Sequence, residues 1–219
     1  MTLPGSDPAN SYGPVTIAHG DLPSQFVDPF RRCALVAWDV ETSGLDWRQS
    51  RIGTCQLFAE GLGGVIIGID PNLRPQRLIS ILEEPGVSKV FHHAPFDLRF
   101  MVNEWNIAPN NILCTKVASK IINPNARNEV HSLRNLLIYN LGVELSKGAV
   151  RTSDWTASQL SQEQIQYAIS DVLHLPALLR ILTERLKDLG LNELYKHCCS
   201  FLPAKAVLEV GEYPDVFAY

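Results

Sequence analysis

Four carboxylates and one phenol carry the chemistry that this sequence can do. Asp39 and Glu41 stand one residue apart at the end of the apolar run 34–40. Side chains alternate along an extended strand, so both acids project from the same face. Two acids side by side repel unless a cation joins them. Tyr167 and Asp171 are four apart in a segment whose Ile165, Ala168, Ile169, Val172 and Leu175 form an apolar stripe. On a helix that spacing sets them on one face, about 5–6 Å apart. A carboxylate at the edge of a buried stripe must be paired or bind a metal to offset its desolvation. Asp97 follows the apolar segment 88–92 and opens a third element.

Taken singly, each has an ordinary reading. Asp39 and Glu41 could be a solvated strand end, Asp97 an acid favoured by a helix dipole, and Tyr167 with Asp171 a local hydrogen bond. Taken together, they supply oxygen ligands of the number and hardness that suit Mg²⁺ or Mn²⁺ and not zinc. Two such ions about 3.5–4 Å apart would clamp the attacking water and the departing 3′ oxygen of a phosphodiester. Thr42, Ser43, Gly44 and Leu45 turn the chain beside the acids, which brings backbone N–H groups and a leucine near any ligand.

The elements that must position these groups read as α/β. Strands are expected at 34–40, 52–59 and 64–69, joined by short turn-rich links that suit antiparallel neighbours. After Pro75 strand and helix alternate: a helix at 77–83, a buried strand at 88–92, a helix at 96–105 and a short strand at 111–114. From Lys116 onward helices are expected at 115–122, 131–140, 161–188 and 191–200. Ser161 and Gln164 form a capping-box pattern at the start of the long helix, Gly190 a stop, and Pro176 a kink or break. Residues 1–16 read as an N-terminal arm and 17–219 as one domain.

Composition narrows the function. The chain has 219 residues, 46% hydrophobic and 19% charged, enough for one substantial core. No apolar run approaches the roughly 20 residues that a membrane span needs, and the N-terminal segment lacks a signal-peptide core, so a cytoplasmic protein is expected. Cys33, Cys55, Cys114, Cys198 and Cys199 form no C-x-x-C pair and read as reduced packing residues. The net charge of −4 has the wrong sign for gripping a long phosphate backbone, so a nucleic-acid ligand would be short.

The segments Asp39-Val40-Glu41-Thr42, Phe96-Asp97 and Tyr167-x-x-x-Asp171 resemble the three exonuclease motifs of the DEDD superfamily, tyrosine variant. Ser153-Asp154-Trp155, Leu160-Ser161 and Gln164-x-x-Tyr167-Ala168-x-x-Asp171-Val172 resemble ribonuclease D and its relatives. His19-Gly20-Asp21-Leu22-Pro23, 114–120, Phe201-Leu202-Pro203 and the tail 215–218 are most similar to the small nanoRNase C group. That resemblance implies an RNase H-like mixed five-stranded sheet flanked by helices. It also implies a two-metal 3′–5′ exoribonuclease that releases nucleoside 5′-monophosphates from short RNA, dinucleotides above all. In its terms Asp39 bridges both ions, Glu41 and Asp171 complete the site of the nucleophile-activating ion, and Asp97 holds the second through water.

Tyr167, with a reference pKa near 10, then orients a water better than it removes a proton. Thr42 and Leu45 are candidates for gripping the terminal nucleotide. His92, Lys116, Arg127 and His131 are candidates for phosphate. His93-Ala94-Pro95 departs from the pattern of the relatives. The resemblance further implies a homo-oligomer, an octamer. Two rivals share the site: ribonuclease D-like processing of longer RNA, and a DNA 3′–5′ exonuclease. A rival of another class is a non-catalytic RNase H-like scaffold that binds nucleic acid.

Overall fold

The structure, a computed structural model, describes residues 13–145 and 149–219; residues 1–12, most of the expected arm, lie outside the described residues. Six strands make one mixed sheet: β1 (Val15–His19), β2 (Leu35–Thr42), β3 (Ile52–Ala59), β4 (Gly63–Gly68), β5 (Ser88–Phe91) and β6 (Ile112–Cys114), in the order β1-β4-β3-β2-β5-β6. β3 runs antiparallel to both its neighbours β2 and β4, while β1 joins β4, and β5 and β6 continue from β2, in parallel. The expected five strands are all present. The sixth is β1, which takes in Val15 and Thr16 from the segment read as an arm. It is a half-exposed edge held by its backbone ladder to β4, so it lacks the clear apolar alternation that marks a strand in sequence.

Helices flank the sheet: α1 (Ser24–Arg31), α2 (Gln76–Leu82), α3 (Ala94–Trp105), α4 (Thr115–Ile122), α5 (Leu133–Leu141), α6 (Gln162–Leu173), α7 (Leu175–Asp188) and α8 (Asn192–Val210). The single long helix expected over 161–188 is two. α6 ends at its cap His174, and Pro176 sits in the first turn of α7, where its missing N–H costs nothing. By length and composition alone, Gln162–Asp188 would pass as apolar enough to cross a membrane, but it is two helices laid on the sheet. Its α6 half packs on β2, β3 and β4, and its α7 half on β2 and β5.

α8 runs ten residues past its expected end, straight through Pro203. Tyr195, Cys199, Leu202 and Ala206 recur at helical spacing and are buried, and the helix packs on α3 and β6. That burial outweighs the hydrogen bond the proline removes. α1 was not expected; only Phe30 of its eight residues is buried, and Pro29 interrupts its pattern.

Candidate active site

β2 supplies the first two acids. Its edge toward β3 is paired from Ala37 to Thr42, with Asp39 opposite Gln56 and Glu41 opposite Thr54, and one extra residue of β3 is accommodated between Glu41 and Thr42. Its other edge pairs with β5 only as far as Ala37, because β5 ends at Phe91 and the chain turns into α3. The Val40 N–H left free by that divergence donates to Asp97 Oδ1 at 3.1 Å. Asp97, 3% exposed, thus leans from the first turn of α3 onto the strand between the two acids.

α6 supplies the rest. Ser161 and Gln164 form the expected capping box in both directions. The Gln164 amide also donates to Ser153 Oγ at 2.9 Å and to the Asp154 carbonyl at 3.0 Å, which ties the start of α6 to the Ser153–Trp155 segment. Trp155 is 1% exposed, and its ring lies 5.8 Å from that of Tyr167. Two glycines let these pieces close on the sheet. A Cβ on Gly53 would meet the Trp155 carbonyl oxygen at 2.3 Å, and one on Gly64 would meet Ile169 Cδ1 at 2.2 Å.

With α6 held there, carboxylate oxygens of Asp39, Glu41 and Asp171 all lie within 4.8 Å of one another. The Tyr167 hydroxyl donates to Asp171. Asp97 stands close enough to be felt by both Asp39 and Asp171. The fold therefore gathers residues from positions 39, 41, 97, 167 and 171 at one point.

The electrostatics are those of a site short of positive charge. Burial, then the repulsion of Asp97, Glu41 and Asp171, raises Asp39 well above the ordinary carboxylate range. Burial lifts Asp97 to about 7, against the pull of the Val40 and Asp97 backbone N–H groups. Burial lifts Asp171 to about 7 as well, against the hydrogen bond from Tyr167. Tyr167 itself is raised far beyond neutral by burial and by the charges of Asp171, Glu41 and Asp39, so it stays protonated. Only oxygen donors face one another here, and a hard divalent cation would relieve their repulsion. The residues fit such an ion.

The expected substrate contacts fare unevenly. Thr42 adjoins the acids, but its hydroxyl already donates to the Gly44 carbonyl at 2.6 Å. Leu45 is 83% exposed at the tip of the same loop. His92 Nδ1 lies 2.9 Å from Thr115 Oγ1, and burial together with nearby Lys116 drives its pKa down to about 3, so it meets any phosphate as a neutral imidazole. His131 is 1% exposed and bonded to Ser119 at 2.8 Å, which makes it a core residue. Lys116 is half-buried near His92, Arg127 is exposed, and His93 caps α3 without a side-chain bond. A cavity of about 530 Å³ lies elsewhere, between β6 and α8, lined by Ile112, Leu113, Lys196 and Cys199. None of the gathered acids lines it.

The sequence reading gave Gln164 its capping-box role and Trp155 a place in a motif, but it gave none to Gly53 or Gly64; the four together set the position of Tyr167 and Asp171. A glycine inside each of two apolar strands was the available signal, since such positions mark close approach of another chain segment.

Comparison with known proteins agrees with this geometry. Residues 14–187 match the 3′–5′ exonuclease domain family. Ribonuclease D of Gluconacetobacter diazotrophicus is 30% identical over 177 residues, covering 81% of this chain and 44% of that protein. The chain spans less than half the length of the curated relatives it matches first. Brucella melitensis NrnC bound to pGG superimposes with a TM-score of 0.84 at 30% identity, covering 94% of this chain and 98% of that one. The same protein has been seen with bound Mg²⁺. Escherichia coli RNase D, at 22% identity and a TM-score of 0.72, shares the fold. With its acids gathered as the DEDD motifs require, the chain belongs to the 3′–5′ exonuclease family, in its ribonuclease D-like branch.

Proposed function

We propose that the protein is a 3′–5′ exoribonuclease that hydrolyses short single-stranded RNA, dinucleotides foremost, to nucleoside 5′-monophosphates. The observation that carries this is the convergence of Asp171 on Asp39 and Glu41, with Asp97 alongside. Asp39, Glu41, Asp97 and Asp171 would hold two divalent ions, Mg²⁺ or Mn²⁺, which when bound lower the pKa of water and neutralise charge on the scissile phosphate. Asp39, which feels Asp97, Glu41 and Asp171 at once, would be the ligand shared between the ions. Tyr167, kept protonated, orients the nucleophile through its hydroxyl while it holds Asp171 in position. Thr42 offers backbone and hydroxyl contacts to the 3′ end, Leu45 a wedge against a base, and His92 a neutral hydrogen bond.

A short substrate is supported by two independent features. The net charge of −4 disfavours a long polyanion, and the chain is similar along nearly its whole length to Brucella NrnC, whose structure contains pGG. The motif resemblance to the nanoRNase C group carries the further proposal of a homo-oligomeric, octameric active form in the cytoplasm. Ribonuclease D-like action on longer RNA is the second reading, favoured by the identity to ribonuclease D proteins.

Competition in Mg²⁺ or Mn²⁺ among a 5′-phosphorylated RNA dinucleotide, a longer single-stranded RNA and a DNA oligomer separates these. Preferred cleavage of the dinucleotide is expected; equal or faster cleavage of the long strands would defeat the short-substrate reading. No product from any of them, with no Mg²⁺ or Mn²⁺ binding in calorimetry, would favour the non-catalytic scaffold.

A further inference from the structure

The loop that carries Leu45 is built as a rigid projection. Ser43 and Arg51 close its neck by two bonds, Ser43 N–H to the Arg51 carbonyl at 2.9 Å and Arg51 N–H to Ser43 Oγ at 3.0 Å. Within it, the Gln49 and Ser50 N–H groups both reach the Asp46 carbonyl. Trp47 is buried at its root, with its carbonyl taken by Asn103 of α3 at 3.3 Å. Arg48 lies over the Trp47 ring, 4.6 Å from its centre. From there its Nε reaches Glu212 Oε1 at 2.7 Å, across 164 residues of chain.

Glu212 is an unexpected residue for its position. α8 closes with Glu212 N–H bonded to the Glu209 carbonyl and Tyr213 N–H to the Leu208 carbonyl, the paired bonds of a Schellman ending. The residue in the left-handed turn of that motif is most often glycine, yet here a glutamate adopts φ 54°. Local preference is overridden, and what the side chain gains is Arg48. One turn earlier, Glu209 lies 3.5 Å from Arg99 of α3, the helix that carries Asp97. The end of α8 thus holds both the Leu45 loop and the Asp97 helix, and it lies beyond residues 14–187 that match the exonuclease domain.

We propose that Glu212 is a positioning residue: through Arg48 it fixes the Leu45 loop, which leaves β2 directly after Glu41 and Thr42, and so sets affinity for the substrate end. The inference rests on the proposed role of Leu45 as a wedge. The pair is exposed on both sides, so its effect is on loop order and is weakened by salt.

Glu212→Gly is the discriminating variant, because it suits the left-handed turn while removing the carboxylate. The expected result on a 5′-phosphorylated RNA dinucleotide is a KM raised about two- to fivefold with kcat unchanged. The melting temperature should not fall, and trypsin should cut faster after Arg48. An unchanged KM, or unchanged trypsin cleavage, in Glu212→Gly overturns the proposal. Should the native protein cleave no oligonucleotide, the functional reading fails while the trypsin arm still decides whether Glu212 orders the loop.

Discussion

The backbone amide of Val40 and the carboxylate of Asp97 are joined at 3.1 Å, although 57 residues separate them. The bond exists because β5 stops pairing with β2 at Ala37, which leaves an amide of the acid-bearing strand in need of an acceptor. Oδ1 of Asp97 is committed to that amide. Structure and chemistry can therefore be separated by substitution. Asp97→Asn keeps the acceptor, so it should fold with metal-free stability equal to or above the native protein while losing at least about a hundredfold in kcat. Asp97→Ala also orphans a buried N–H and should lose about 1–3 kcal/mol in urea unfolding. Equal stabilities of the two variants would show that the bond does no structural work.

Tyr167 can be tested through its effect on Asp171. Its hydroxyl holds the Asp171 pKa down from where burial would take it. Tyr167→Phe should lower kcat by about 10²-fold, the usual worth of a positioned proton-transfer or water-orienting group, with Mg²⁺ affinity in calorimetry nearly intact. In EDTA, Asp171 should at the same time become less acidic, so its carboxyl carbon titrates at higher pH in an NMR titration than in the native protein. An unchanged Asp171 titration would mean that the Tyr167 hydroxyl does not act on it.

Metal-free stability should carry the signature of the buried acids. Burial raises Asp171 from 3.8 to about 7, so the folded protein holds that proton where the unfolded chain has released it. Stability from this group is complete below about pH 4 and is lost as pH climbs through about 7. His92, held down to about 3, slopes the other way, so the comparison must be between variants. In EDTA, Asp171→Asn should gain on the native protein from pH 5 to pH 8, by more than about 1 kcal/mol, since each pKa unit is worth about 1.4. Saturating Mg²⁺ should erase the native protein's deficit, and a difference that is flat with pH would rule out a buried, uncompensated Asp171.

What the sequence reveals of this site depends on whether each residue's position is set locally. Asp39 and Glu41 share a face because strands alternate, and Tyr167 and Asp171 because helices repeat, so spacing alone makes both pairs legible. The capping box at Ser161 is equally local, and it is present in both bonds. The Asp97 to Val40 contact is not local, since it follows from where two strands diverge. β1 is an edge that sits in the sheet through backbone bonds to β4, and α8 continues through Pro203 on tertiary burial. His174 breaks the helix two residues ahead of the proline that marked it. The reach of Arg48 to Glu212 spans most of the chain; no spacing rule could have found it.

The two close-packed glycines make the last prediction, and they rank themselves. A methyl on Gly53 meets the backbone of Trp155, carbonyl oxygen at 2.3 Å and carbon at 2.6 Å, which cannot rotate away. A methyl on Gly64 meets the terminal Cδ1 of Ile169, which can turn aside. Gly53→Ala must therefore push the Trp155 segment off the sheet and carry with it the ring that backs Tyr167, only 5.8 Å away. Overpacking of this kind costs about 1–3 kcal/mol, and a misplaced catalytic group can cost up to about a hundredfold in rate. Gly53→Ala should show both losses, kcat falling by about tenfold or more, whereas Gly64→Ala should lose less of each. Thermal melts and single-turnover rates of the two variants decide it: if Gly64→Ala is the more damaging, α6 is set by its contact with β4 and not by the Trp155 segment on β3.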